Sequence, residues 1–171
     1  LFLFPSSLSY PCLPPFPSSV DRCDLHCACL LLSGLASIVM AVSFCLRFFS
    51  SSSSTACFIV TCFFGGGWVI GSIDSHEAFT GFLSKELKAK VFSVEYRLAP
   101  EHPYPIPLAD CEAAFNWIKD NALDLGINPN RVSVGGDSAG GNLAAALCIK
   151  RKQEELSLPK AQLLIYPVTD L

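Results

Sequence analysis

One serine in this chain sits among residues suited to nucleophilic chemistry. Ser138 lies in "VSVGGDSAGGNLAAAL" (Val132–Leu147), with Gly135, Gly136, Gly140 and Gly141 crowded around it. Gly136-Asp137-Ser138-Ala139-Gly140 matches G-x-S-x-G, a pattern that takes a strand through a sharp turn straight into a helix. Such a turn holds the serine in a strained conformation. Residues two positions to either side must be small, or their Cβ atoms would collide. The result is an exposed Oγ beside a helix N-terminus, which favours developing negative charge. The N–H of Ala139, next in the chain, is placed to donate to an oxyanion. The plainer alternative is an ordinary serine in a glycine-rich turn. The strand-like "RVSVG" before it and the helical face Leu143, Ala144, Leu147 and Cys148 after it favour a nucleophile.

A second glycine cluster, Gly65–Gly67, precedes Trp68. It is not a P-loop: counting from Gly66, the Gly-Lys-Ser/Thr ending is replaced by Gly71, Ser72 and Ile73. It is not a dinucleotide fingerprint either, because Ile70 stands at the last glycine position counted from Gly65.

The elements that must position these clusters alternate. "ACFIVTCFF" (Ala56–Phe64) is apolar and β-prone. Asp74 with Glu77 resembles a capping box, predicting a helix with Phe79, Phe82, Leu83 and Leu87 on one face. "AKVFSVEY" (Ala89–Tyr96) is the next strand. The prolines of "RLAPEHPYPIP" make a loop, and Pro107 can open a helix whose inner side carries Leu108, Cys111, Phe115 and Ile118. "GINPN" is a turn, and "AQLLIYP" (Ala161–Pro167) is one more strand. A β-α-β-α-β-α-β order implies an α/β fold, a mostly parallel sheet with helices on both faces. Ligands bind such sheets at the carboxyl ends of the strands, where both glycine clusters fall.

Composition divides the chain near Phe64. Residues 1–64 hold only Asp21, Arg22, Asp24 and Arg47 as charged residues, and seven of the nine cysteines. Net charge is −3 and mean hydropathy +0.43, a balance that argues against nucleic-acid binding. "CACLLLSGLASIVMAVSFCL" (Cys27–Leu46) has no charge over twenty residues, a length that suits a membrane-spanning helix. Arg22 and Arg47 lie on opposite sides of it and give no orientation. Cys23, His26, Cys27 and Cys29 are metal-ligand types, but no second cluster completes a site, so no metal is expected. The Phe, Ser, Leu, Pro and Cys bias of residues 1–64 also fits translated non-coding sequence, and both readings of 1–64 stay open. The expected organisation is therefore 1–55 as a low-complexity or membrane segment and 56–171 as an N-terminal part of a catalytic domain. With Leu1 in place of Met, the chain is expected to be an incomplete product. Location stays open: cytoplasmic, or membrane-associated if 27–46 inserts.

Four stretches in order, "GGGWVIGSIDSH" (Gly65–His76), "VEYRLAPEHPYP" (Val94–Pro105), "VGGDSAGGNLAAAL" (Val134–Leu147) and "YPVTDL" (Tyr166–Leu171), resemble the hormone-sensitive-lipase-like branch of the α/β-hydrolases. The resemblance implies a partial α/β-hydrolase fold and a serine esterase or lipase acting on small carboxylic esters. It implies no metal or organic cofactor and indicates no protein partner. Ser138 would be the nucleophile, and Gly66, Gly67 and Ala139 the oxyanion-hole donors. Trp68 and, less directly, Asp137 would form the site wall, although Trp68 reads equally well as core.

The departures are specific. Phe64 stands where the family usually has a histidine that orients the oxyanion loop. No cap region and no first strands are recognisable before Gly65. The triad order is Ser, then acid, then His. His26, His76 and His102 all precede Ser138 and none matches the base; Asp137 and Asp170 do not match the acid. The triad acid and base are therefore expected outside this chain, and its hydrolysis is expected to be impaired. The alternative is a non-catalytic, receptor-like relative of the kind the family includes, or an inactive fragment. A membrane-anchored esterase held by 27–46 is a third option.

Overall fold

The computed structural model describes residues 45–49 and 59–170. Two apolar layers pack on either side of one sheet. The strands are β1 (Cys45–Phe49), β2 (Ile59–Phe63), β3 (Lys90–Glu95), β4 (Val132–Asp137) and β5 (Gln162–Ile165). Their spatial order is β1-β3-β2-β4-β5. The pairs β2–β3, β2–β4 and β4–β5 are parallel, and β1 lies antiparallel to β3 with Cys45 opposite Glu95 and Phe49 opposite Val91.

The helices α1 (Glu77–Leu87), α2 (Ile106–Asp120) and α3 (Ala139–Gln153) cover the sheet. Alternation along the strands decides which helix meets which residues. Val60, Cys62 and Val91 form one cluster with Leu83 of α1. Ile59, Phe63, Phe92, Val94, Val132 and Val134 join Leu108, Phe115, Leu143 and Leu147 of α2 and α3 in the larger one. A parallel sheet with helices on both faces is thus what the alternating pattern builds. Within it, burial raises the Cys62 thiol to about 12, with the Asp137 charge adding to the effect.

The anticipated faces of α2 and α3 are as buried as the spacing requires: Leu108, Cys111, Phe115, Ile118, Leu143, Ala144, Leu147 and Cys148 all lie in the core. Arg151 of α3, itself buried, joins the two helices by donating to Glu112 and Asn116 and sits over the Phe115 ring.

Three expectations need correction. The sheet takes a strand from Cys45–Phe49, ahead of the first strand expected at Ala56. Cys45 and Leu46, the end of the apolar run 27–46 left open between a membrane helix and translated non-coding sequence, belong to that strand. Among the described residues no helix is long and apolar enough to cross a membrane, and 27–44 lie outside them. Asp74 is not the N-cap of α1 that the capping-box spacing implies. Asp74–His76 is a 3₁₀ turn, α1 begins at Glu77, and Ser72 and Ser75 instead bond each other's backbone N–H groups. The buried residues of α1 are Thr80, Leu83 and Ser84, with Phe79 packed against the same cluster, while Phe82 and Leu87 are exposed.

Candidate active site

β4 passes into α3 through Ser138, whose φ of 50° and ψ of −116° lie where side chains rarely go. Backbone bonds hold the turn. The Ser138 N–H donates to the Ile165 carbonyl at 2.9 Å, and the Ser138 carbonyl accepts from Asn142 at 3.1 Å and Val168 at 3.2 Å. The small neighbours are obligatory. A Cβ on Gly136 would lie 2.6 Å from the Gly140 carbonyl carbon, and one on Gly140 would lie 2.6 Å from the carbonyl carbon of Phe63. The elbow is therefore packed directly on the end of β2, the strand that leads into the second glycine cluster.

That cluster is a tight turn. Gly66, Gly67 and Trp68 have φ of 127°, 61° and 62°. Val69 and Ile70 donate to the Gly66 carbonyl, and the Trp68 carbonyl accepts from Ala99 at 2.8 Å, tying the loop to the proline-rich segment. A Cβ on Gly66 would meet the Ile70 backbone, whereas one on Gly67 would meet nothing within 4 Å. Gly67 thus borders open space. Trp68 is half-buried and packs against the larger core cluster. The Ile73 N–H donates to the Glu95 carboxylate at 2.9 Å, which moors the far end of the loop to β3.

Asp137 is buried, and its carboxylate is occupied. Oδ1 accepts from the Gly65 N–H at 3.1 Å, joining the two glycine clusters across the site. Oδ2 lies 3.6 Å from His76 Nε2 and accepts from the Tyr166 hydroxyl at 3.4 Å. The Asp137 charge, with a smaller contribution from burial, raises the Tyr166 hydroxyl above the ordinary phenol value. His76 Nδ1 faces Ser75 Oγ at 2.8 Å. Phe64 is fully buried and stacked on Tyr96, centroids 4.3 Å apart, with the His76 ring 5.7 Å away.

The structure therefore brings Ser138, Ala139, Asp137 and the Gly65–Gly67 loop to one end of the sheet. Sequence reasoning did not find His76, Tyr96 and Tyr166 around them. Only the position of Tyr96 and Tyr166 at strand ends hinted at it. No group of three or more His, Cys, Asp or Glu among the described residues is arranged to hold a metal, and the Cys23–Cys29 cluster lies outside them.

A family model described as alpha/beta hydrolase fold matches residues 60–171. The chain belongs to the α/β-hydrolase fold family. Its place in the hormone-sensitive-lipase-like branch agrees with the relatives found. The Carboxylic ester hydrolase LipN of Mycobacterium tuberculosis is 42% identical over 129 residues, 72% of this chain and 34% of that protein. The Carboxylesterase NlhH of the same species is 42% identical over 111 residues, 65% of this chain and 35% of that protein. Among solved structures, the thermophilic carboxylesterase EstE1, cloned from a metagenomic library, superposes with a TM-score of 0.72 at 41% identity, over 75% of this chain and 44% of that one. The chain spans about a third of the length of these curated relatives. An α/β-hydrolase sheet with its antiparallel strand at one edge is what the described residues form.

Proposed function

We propose that this chain carries the nucleophile and oxyanion hole of a carboxylic ester hydrolase. The observation that carries the reading is the Gly65–Asp137 hydrogen bond, which seats the glycine loop beside the strained serine turn. Ser138 Oγ attacks the carbonyl carbon of a small ester, and its proton passes to a histidine base. The N–H groups of Gly66, Gly67 and Ala139 hold the resulting oxyanion. The alkoxide leaves with that proton, and water then cleaves the acyl-serine to release the acid. The bare backbones of Gly66 and Gly67 allow the substrate carbonyl to approach closely. The names of the similar proteins, carboxylic ester hydrolase and carboxylesterase, support the ester class.

The reading assigns the base to none of the described histidines: His76 presents one nitrogen to Ser75 and the other to Asp137. Added imidazole can stand in for it. The purified chain is expected to hydrolyse p-nitrophenyl butyrate slowly alone and faster with imidazole, after subtracting imidazole's own background. Ser138→Ala should remove that gain. Equal imidazole-supported rates in the two proteins would overturn the reading.

A further inference from the structure

The peptide bond between Phe64 and Gly65 is gripped on both edges by buried side chains. The Tyr96 hydroxyl donates to the Phe64 carbonyl at 2.7 Å. The Gly65 N–H of the same peptide unit donates to Asp137 Oδ1 at 3.1 Å. Tyr96 comes from the end of β3 and Asp137 from the end of β4, so two parallel strands reach the loop from either side of β2. We propose that Tyr96 and Asp137 are positioning residues that clamp this peptide and so aim the N–H groups of Gly66 and Gly67 at the oxyanion. The inference rests on the ester-hydrolase reading and deepens it.

The clamp acts by removing degrees of freedom. A peptide unit is planar, so fixing its oxygen and its hydrogen fixes the direction in which the chain enters Gly65, the first of the three glycines. Three successive glycines have wide conformational freedom and would otherwise sample many directions. The side chain at position 64 cannot supply the restraint, because a phenylalanine ring makes no conventional hydrogen bond; the backbone at 64 is held instead. The ring fits this arrangement, stacked on Tyr96 at an interplanar angle of 16°. Both grips are preorganised. His76 and Tyr166 occupy the Oδ2 side of Asp137, which leaves Oδ1 for Gly65. Tyr96 is 2% exposed, and burial, then the neighbouring Cys111, Asp137 and Glu95, raise its hydroxyl, so it stays a donor through neutral pH. A Cβ at Gly65 would meet the Asp137 carboxylate, so the clamp leaves no room for any other residue there.

The test compares Tyr96→Phe, Asp137→Ala and Asp137→Asn with the unaltered chain and with Ser138→Ala. Two readouts are taken: imidazole-supported kcat and KM on p-nitrophenyl butyrate, and amide hydrogen exchange by NMR at Gly65–Gly67, with core Val134 as the reference for global opening. Tyr96→Phe and Asp137→Ala should each lower kcat about tenfold or more with KM unchanged, because a misaimed donor weakens transition-state binding. They should speed Gly65 exchange about tenfold beyond any change at Val134, as lost hydrogen bonds predict. Asp137→Asn keeps an acceptor oxygen and should stay within about threefold of the unaltered chain on both readouts. Ser138-dependent turnover with unaltered kcat and exchange in Tyr96→Phe would overturn the clamp and leave the ester reading standing. If turnover does not depend on Ser138, the ester reading fails and the oxyanion role fails with it. Exchange at Gly65 then decides separately whether the two side chains hold the loop.

Discussion

The serine elbow and the glycine loop meet at the same end of the sheet but are held in different ways. The elbow is fixed by main chain and by missing side chains: Ser138 bonds to Ile165, Asn142 and Val168, and Gly136 and Gly140 lie against the backbone of Phe63. The loop is fixed by side chains reaching in from elsewhere: Tyr96 on the Phe64 carbonyl, Asp137 on Gly65 and Glu95 on Ile73. A structure held by backbone packing tolerates almost no added volume. One held by hydrogen bonds from distant side chains tolerates volume where it borders open space, as at Gly67, and depends on which atoms those side chains present.

The harshest way to test that contrast is a single methyl group in each region. Gly140→Ala drives a Cβ into the backbone of Phe63 and Phe64, neither of which has a flexible end to move. It should cost about 3 kcal/mol or more, or prevent folding, as read by urea denaturation. Gly67→Ala adds its methyl to open space, and only its φ of 61° opposes it, so about 1 kcal/mol is expected. Similar losses at both positions would break the comparison.

Relief of strain gives a gain of intermediate size. Ser138→Gly should raise stability by about 1–2 kcal/mol, since glycine adopts the Ser138 conformation freely. It should also eliminate the Ser138-dependent turnover. Unchanged stability would mean that the elbow stores no such strain.

The smallest effect sharpens the loop side. The Asp137 charge is the main cause of the raised Tyr166 hydroxyl. Asp137→Asn should therefore move the Tyr166 titration, followed by NMR, down toward the ordinary phenol value. The sign for stability follows. A group with a raised folded value contributes stability that is fully present below its unfolded value and is lost as pH rises through the folded one. The Tyr166 contribution should thus fade only in alkali, and Asp137→Asn should flatten that decline. A Tyr166 titration indifferent to Asp137 would remove this residue from the loop's support.

The same contrast explains what could be read from the sequence. The elbow was legible because everything that makes it lies within a few residues: a short strand, a glycine on either side of Ser138 and a helical stripe through Leu143 and Leu147. α2 and the parallel strands were legible for the same reason, since period and prolines are local signals. The clamp was not legible, because it joins Phe64 to Tyr96 and Gly65 to Asp137, separations of 32 and 72 residues that leave no periodic trace. β1 was obscured by its apolar, serine-rich surroundings, where composition suggested a membrane helix; only its pairing with β3 makes it a strand. The start of α1 was misjudged because Asp74 and Glu77 have capping-box spacing, while Ser72 and Ser75 satisfy each other across the preceding turn. Ser138 and Ala139 were named from local pattern and Gly66 and Gly67 from the family resemblance, whereas Tyr96 was not named and Asp137 was named only as site wall.

The most direct test of the account asks whether Ser138 is a nucleophile. The chain would be incubated with a p-nitrophenyl phosphonate ester in the presence of imidazole, digested and read by mass spectrometry. A phosphonyl adduct on Ser138, absent from Ser138→Ala, is the result expected. An unmodified Ser138 beside a labelled tyrosine, or no adduct at all after exhaustive incubation, would contradict it.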